Sequence, residues 1–339
     1  MDATSNGGAA RALTKKDFMS DQVIRWCPGC GDYAILSQAQ TVFAELGIKR
    51  EELCIVSGIG CSSRFPYYVN SYGFHTIHGR AAALATGVKV ANPALSVWVV
   101  TGDGDALSIG GNHTAHMLRR NVDLQVLLFN NKIYGLTKGQ YSPTSEIGKK
   151  TKSTPYGSVD HPFMPAAFAL GCDASFVART VDILTKEQRD VMKAAYAHKG
   201  SSFVEIYQNC NIFNDGAWDA LIEKAVRSER MMFLEHGAPM VFGGGKKGIR
   251  LNGLKPEIIE LGDGLGPDDC LKHDETDSTL AILLARMDYP EFPVPMGVLY
   301  RKERPTYDAL INEQLDTAKA KGAGDLQKLL LGGETWKID

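Results

Sequence analysis

Two groups of residues in this chain have the types and spacing for chemistry. The first is oxygen-based. Gly102-Asp103-Gly104 is followed by 25 residues and then by Asn130-Asn131. A carboxylate and an amide meeting in front of a helix N-terminus suit a hard cation such as Mg²⁺ that holds a diphosphate. The second group is sulfur-based. Cys27-Pro28-Gly29-Cys30 is a tight loop carrying two thiols, and Cys61 and Cys210 each follow a strand-like apolar run. Four thiolates can hold a [4Fe–4S] cluster or a Zn²⁺ ion, and spacing alone does not separate the two.

Both groups depend on strands to bring them together. Ser96-Val97-Trp98-Val99-Val100 precedes the first motif, and Leu124 to Phe129 precedes the asparagine pair. Such continuous apolar runs suit buried strands of a parallel sheet. Asp105 to Arg120 reads as one crossover helix between them. A right-handed strand–helix–strand unit carries both strand ends to one edge of the sheet, where Asp103 and Asn131 would meet. Leu53-Cys54-Ile55-Val56 and Phe203 to Tyr207 read as further strands, so Cys61 and Cys210 fall at the same edge. The expected fold class is α/β: a doubly wound, mostly parallel sheet. A second Gly-Asp-Gly, at residues 262–264, lacks a preceding strand and a matching asparagine pair, and reads as a turn.

Composition narrows the classes. The chain has 339 residues, a net charge of −2 and no lysine/arginine block, which argues against a nucleic-acid footprint. No apolar run approaches the ~20 residues that span a bilayer. The first 20 residues lack a hydrophobic signal core, which leads to the expectation of a cytoplasmic protein. Seven cysteines, an odd number, do not suit a disulfide framework. Cys54 and Cys172 read as structural thiols, while Cys270 stands in an acidic loop. His113 and His116 lack an evident third ligand and read as packing or surface residues.

The order of motifs carries a resemblance. Gly-Asp-Gly, 25 residues and Asn-Asn resemble the diphosphate motif of thiamine-diphosphate enzymes. Cys-Pro-Gly-Cys-Gly, GIGCSSR, HTIHGRAAALATGVK, GDGDALSIGGNHTAHMLRRNVDL, NNKIYGLTKGQYSPTS and a late lone cysteine follow one another as in the β subunits of 2-oxoacid:ferredoxin oxidoreductases. The 2-oxoglutarate type is the best match. The resemblance covers residues 21–225.

It implies the diphosphate-type thiamine fold, with Mg²⁺ held by Asp103, Asn131 and the Ile133 carbonyl. Gly60, Ser62, His78, Gly102, Gly104, Asp105, Gly135 and Leu136 would line the cofactor. Cys27, Cys30, Cys61 and Cys210 would hold one [4Fe–4S] cluster. His78 also reads as a residue that caps or packs against a helix. Arg64 and Lys138 would meet substrate carboxylates, which fits 2-oxoglutarate better than pyruvate; two solvated surface cations are the plainer alternative.

The implied reaction joins a 2-oxoacid and coenzyme A into an acyl-CoA and CO₂, in either direction, and passes single electrons through the cluster to ferredoxin. The pyrimidine-binding domain and its activating glutamate would come from an α subunit, in an (αβ)₂ heterotetramer with no membrane or nucleic-acid partner. Pyruvate or another 2-oxoacid, a non-oxidative thiamine-dependent decarboxylase half, and a zinc-stabilised binding module are the competing readings. The expected organisation is a flexible tail over 1–20, the cofactor domain over 21–225, and an irregular extension over 226–339 that wraps the core or a partner. Within the extension, Asp219 to Glu235 reads as an amphipathic helix beginning in the core, and residues 306–331 read as helical.

Overall fold

A computed structural model describes residues 11–333 together with 335, 336 and 338. Residue-by-residue alternation builds its layers. In β3 (Ser96–Gly102), Val97 and Val99 face one side of the sheet, while Trp98 and Val100 face the other. Val126 and Leu128 alternate in the same way with Leu127 and Phe129 in β4 (Leu124–Asn130). A strand that is apolar on both faces needs a helical layer on each. One layer includes the helices Ala81–Ala91, Gly111–Arg120 and Ser278–Arg286, and the other includes Asp32–Glu45 and Thr185–Ala197.

The remaining strands are β1 (Leu53–Ser57), β2 (Tyr72–His75), β5 (Phe176–Val181), β6 (Ser201–Tyr207), β7 (Met231–Phe233), β8 (Val241–Phe242), β9 (Lys247–Asn252), β10 (Lys255–Glu260) and β11 (Val294–Arg301). The main sheet has the order β2-β1-β3-β4-β6-β5-β11-β7. From β2 through β5 every pairing is parallel, whereas β11 runs antiparallel to β5. β8, β9 and β10 form a separate antiparallel sheet, with residues 243–246 turning between β8 and β9. Gly262–Leu265 is a turn, as expected for the second Gly-Asp-Gly. Among the described residues no helix is long and apolar enough to cross a membrane.

Several expectations need correction. Residues 1–10 of the expected tail lie outside the described residues, but the tail does not extend to residue 20. Asp17 caps the turn Lys15–Phe18 through Thr14, and Phe18 is fully buried against Phe43. The segment 226–339 is not an irregular wrapping, because β7 and β11 continue the main sheet. Asp219 to Glu235 is not one helix: two single turns, Asp219–Ile222 and Arg227–Arg230, lead into β7, where Met231 and Met232 join the buried sheet. Helices do occupy Tyr307–Ala320 and Leu326–Leu330. The first of these packs on Ala81–Ala91, and Asp308 accepts a hydrogen bond from the Asp123 amide at 2.9 Å.

The crossover after Gly102 is also broken, into Asp103–Leu107 and Gly111–Arg120. The break admits the His78-Gly79-Arg80 turn: a Cβ on Gly79 would stand 2.4 Å from the Gly110 nitrogen.

Candidate functional site

The parallel strands deliver their chemistry at their C-terminal ends, the edge at which open α/β sheets bind ligands. β3 ends in Gly102 and leads into Asp103, Gly104 and Asp105; β4 leads into Asn131, Ile133, Gly135 and Leu136. β1 leads to Gly60 and Ser62, and His78 stands in the turn after β2. All of these residues line one cavity. The cavity collects every residue expected at the diphosphate and its cation.

Asp103 is 2% exposed. Its Oδ2 accepts hydrogen bonds from Ser142 Oγ and Thr144 Oγ1, both at 2.5 Å. Burial raises its pKa to about 6, against the pull of those hydroxyls. A cation beside such a carboxylate relieves the cost of burying its charge. Asn131 Oδ1 accepts from the Ile133 amide at 3.2 Å, and Lys132 between them has a left-handed φ of 55°. This turn is anchored from outside. Asn214 Nδ2 donates to the Asn131 carbonyl at 2.9 Å, and Trp218 Nε1 donates to the Asn130 carbonyl at 3.0 Å. The donor set is an acid, an amide and a loop carbonyl, hard oxygen ligands that fit Mg²⁺.

Asp105 lines the cavity, as expected, and has a further part. Its Oδ1 accepts from the backbone amides of Ile59 and Gly79, at 3.1 and 2.7 Å, and its Oδ2 accepts from Thr101 Oγ1 at 2.8 Å. Its carboxylate ties the loop of Ile59 and the turn of Gly79 to β3. Removing it strands the buried Gly79 amide, at about 1–3 kcal/mol, and the half-buried Ile59 amide at less. We expect Asp105→Ala to lower the unfolding temperature by several degrees and to weaken thiamine-diphosphate binding, as measured by thermal melts with and without cofactor. An unchanged melt would contradict this role. Gly104 is needed for close approach: a Cβ there would stand 2.1 Å from the Tyr134 ring.

The sulfur group gathers in the adjoining space. Cys27, Cys30, Cys61 and Cys210 line a second cavity, together with Arg64 and Lys138. The Cys27–Cys30 loop closes on itself through the Cys30 amide, which donates to the Cys27 carbonyl at 3.1 Å, with Gly29 at a φ of 86°. It is fastened beside Cys210 by the Gly31 amide, which donates to the Asn209 carbonyl at 3.1 Å. Trp26 Nε1 donates to the Cys61 carbonyl at 2.6 Å, which fixes the third thiol. Gly135 gives the sulfurs room: a Cβ there would lie 3.4 Å from Cys210 Sγ and 3.6 Å from Cys61 Sγ.

Burial, reinforced by nearby Asp32, pushes the Cys61 thiol up to about 12 and raises the Cys30 thiol further. These thiols release their protons readily only to a strongly Lewis-acidic centre. Among the described residues no three His, Cys, Asp or Glu side chains are grouped to hold a single ion. Four thiols lining one cavity are a donor set that fits a [4Fe–4S] cluster.

The two cavities share Cys61, Asn131, Gly135 and Leu136 as a common wall. Several participants were not singled out from the sequence. Ser142 and Thr144 sit in a Tyr-Ser-Pro-Thr-Ser stretch whose density of hydroxyls was the available signal. Asp32 and Asp182 form a buried acidic pair behind the Cys30 loop: a Cβ on Gly31 would stand 1.9 Å from Asp182 Oδ2. Burial, followed by the charge of Asp182, raises Asp32 to about 7. Asn214 and Trp218 carried no motif at all.

The likenesses to known proteins agree with this geometry. Residues 58–206 match the thiamine pyrophosphate enzyme C-terminal TPP-binding domain. The 2-oxoglutarate oxidoreductase subunit KorB of Mycobacterium tuberculosis is 51% identical over 331 residues, covering 96% of this chain and 88% of that one. The β subunit of 2-oxoacid:ferredoxin oxidoreductase 1 of Aeropyrum pernix is 48% identical over 190 residues, which is 56% of this chain and 60% of the relative. A structure of 2-oxoglutarate:ferredoxin oxidoreductase from Magnetococcus marinus, with 2-oxoglutarate, coenzyme A and succinyl-CoA bound, superposes with a TM-score of 0.77 at 34% identity, covering 95% of this chain and 97% of that one. The chain belongs to the β subunits of the 2-oxoacid:ferredoxin oxidoreductases, thiamine-diphosphate enzymes that work with a partner subunit.

Proposed function

We propose that the chain forms half of an active site that converts 2-oxoglutarate and coenzyme A to succinyl-CoA and CO₂, with electrons leaving singly for a ferredoxin. The observation that carries this reading is the wall common to the oxygen-lined and thiol-lined cavities, formed by Cys61, Asn131, Gly135 and Leu136. Thiamine diphosphate, when bound, supplies a carbanion equivalent for attack on the 2-keto carbon, and a [4Fe–4S] cluster supplies one-electron capacity beside it.

The chain's own residues hold and orient. Asp103, Asn131 and the Ile133 carbonyl would hold Mg²⁺ against the diphosphate. Asp105 keeps the amides of Ile59 and Gly79 in place at the same cavity. Cys27, Cys30, Cys61 and Cys210 would hold the cluster. Arg64 and Lys138, both on the thiol cavity, would receive substrate carboxylates, since a buried carboxylate without a partner is costly. The names of the M. tuberculosis and M. marinus proteins support 2-oxoglutarate as the 2-oxoacid. The activating glutamate would come from the α subunit, and the assembly would be an (αβ)₂ heterotetramer.

The test is a substrate panel on the co-expressed α/β complex, with coenzyme A and viologen as electron acceptor. We expect 2-oxoglutarate to surpass pyruvate in kcat/KM. Arg64→Met combined with Lys138→Met should raise the KM for 2-oxoglutarate about 10–100-fold and that for pyruvate, which has one carboxylate fewer, by less, the effect of losing charge-assisted hydrogen bonds. The β chain alone should reduce no viologen. Equal rates with both acids, or activity without the partner, would overturn the reading.

A further inference from the structure

A buried ion pair stands directly behind the oxygen-lined cavity. Arg179 on β5 and Glu205 on β6 are 3% and 1% exposed, and Arg179 Nε donates to Glu205 Oε2 at 2.9 Å. Arg179 Nη1 also reaches the Pro295 carbonyl of β11, at 3.3 Å. Burying two charges costs several kcal/mol per ion before they attract, and well-packed apolar residues at such places are often as stable. Stability alone does not account for the pair.

Its other contacts lead to the cation site. Glu205 Oε1 accepts from Asn130 Nδ2 at 2.9 Å. With its nitrogen on the carboxylate, the Asn130 amide must present its oxygen to Thr144 Oγ1, also at 2.9 Å. Thr144 Oγ1 also lies 2.5 Å from Asp103 Oδ2, so its single hydroxyl proton is shared between the Asn130 and Asp103 oxygens, which holds the three groups together. A flipped Asn130 would set oxygen against carboxylate, so the charge of Glu205 fixes the amide.

We propose that Glu205, held by Arg179, is a positioning residue for the cation site, acting through Asn130 and Thr144 to lock one oxygen of Asp103 and aim the other at Mg²⁺. Asn130, the first residue of the asparagine pair, then has a part of its own beside Asn131. The chain of contacts also gives β11 a link to the cofactor, through the Pro295 carbonyl. Groups that orient a metal's direct ligands commonly change metal affinity 10–100-fold. The sign is downward on removal: Glu205→Gln frees the Asn130 amide and leaves Arg179 as an unbalanced positive charge behind a cation.

This inference rests on Asp103 as a Mg²⁺ ligand, and the experiment separates the two. Mg²⁺ is titrated calorimetrically into the metal-free α/β complex with saturating thiamine diphosphate. We expect Glu205→Gln to weaken Mg²⁺ binding at least about 10-fold and to recover kcat at high Mg²⁺. Thr144→Val should do the same, with Thr144→Ser restoring the affinity. The double variant Glu205→Gln/Thr144→Val should bind Mg²⁺ no more weakly than the worse single variant, because both cut one chain. If Glu205→Gln does not assemble, Asn130→Ser cuts the chain without leaving a lone charge and is expected to show the same loss. Unchanged affinity in the assembled variants, or fully additive losses, would overturn the inference. Asp103→Asn is the control: if it too leaves Mg²⁺ binding intact, the reading of the cation site fails first.

Discussion

Asp103→Asn in the assembled α/β complex should lower 2-oxoacid-dependent viologen reduction by about 10³-fold or more, the scale of losing the cation that anchors the cofactor's diphosphate and so places its reactive carbon. The variant keeps the shape of the side chain and an oxygen that Ser142 and Thr144 can still donate to, so the fold should survive. What disappears is the anionic ligand for the cation. The iron content should be unchanged, because no thiol is touched.

A second signature distinguishes this from general damage. The wild-type carboxyl is buried, and its pKa is raised to about 6. A carboxyl raised in the folded state favours folding while it is protonated, and that contribution is lost as pH rises from ~4, where the unfolded group titrates, to about 6. At neutral pH the cofactor-free wild type therefore carries the cost of a buried charge that asparagine does not. The cofactor-free variant should melt no lower than the cofactor-free wild type, yet Mg²⁺ and thiamine diphosphate should no longer raise its melting temperature. A variant that still gains stability from them would remove Asp103 from the cation site.

The sequence exposed the parts of this protein that local rules govern. Apolar runs of strand length marked β1, β3, β4 and β6, and the parallel rule placed their ends at one edge, so Asp103, Asn131, Cys61 and Cys210 could be assembled before any coordinates. Spacing and loop type were sufficient because Asp103 and Asn131 directly follow strands and Cys61 and Cys210 stand in the short loops just beyond them. What escaped depends on contacts between distant segments. β11 pairs with β5 across more than a hundred residues, and its sequence, broken by Pro293, Pro295 and Gly297, reads as turn rather than strand. The break between Leu107 and Gly111 follows from the approach of Gly79, which no pattern within the helix announces. Phe18 fills a space against Phe43 that its polar neighbours do not advertise. Glu205 lies in the strand-like run before Cys210, and only the structure gives its charge the partners Arg179 and Asn130.

Cys210→Ser tests the sulfur side of the site and should be as severe. Cys210 is nearly buried and stands across Gly135 from Cys61. Its position cannot be filled by another thiol. Cys54 is enclosed in β1, Cys172 follows the helix Pro165–Gly171, and Cys270 packs against Gly248 in the separate sheet region. Serine is nearly isosteric but offers a hydroxyl that is far harder to deprotonate, so three soft ligands and one poor one would face the cluster.

The purified complex should lose its brown absorbance, and iron and acid-labile sulfide should fall together. Viologen reduction should drop about 10³-fold, because two single-electron steps then lack a fixed acceptor beside the reacting carbon. Thiamine diphosphate should still bind, since of the two cavities Asp103 and Asp105 line only the oxygen-lined one, and Asn131 lines it as well. Cys54→Ala, which empties only a core position, should keep the cluster and lose stability alone. If the wild-type complex instead carries stoichiometric zinc and no sulfide, or if Cys210→Ser retains full iron, these four thiols do not hold the electron acceptor.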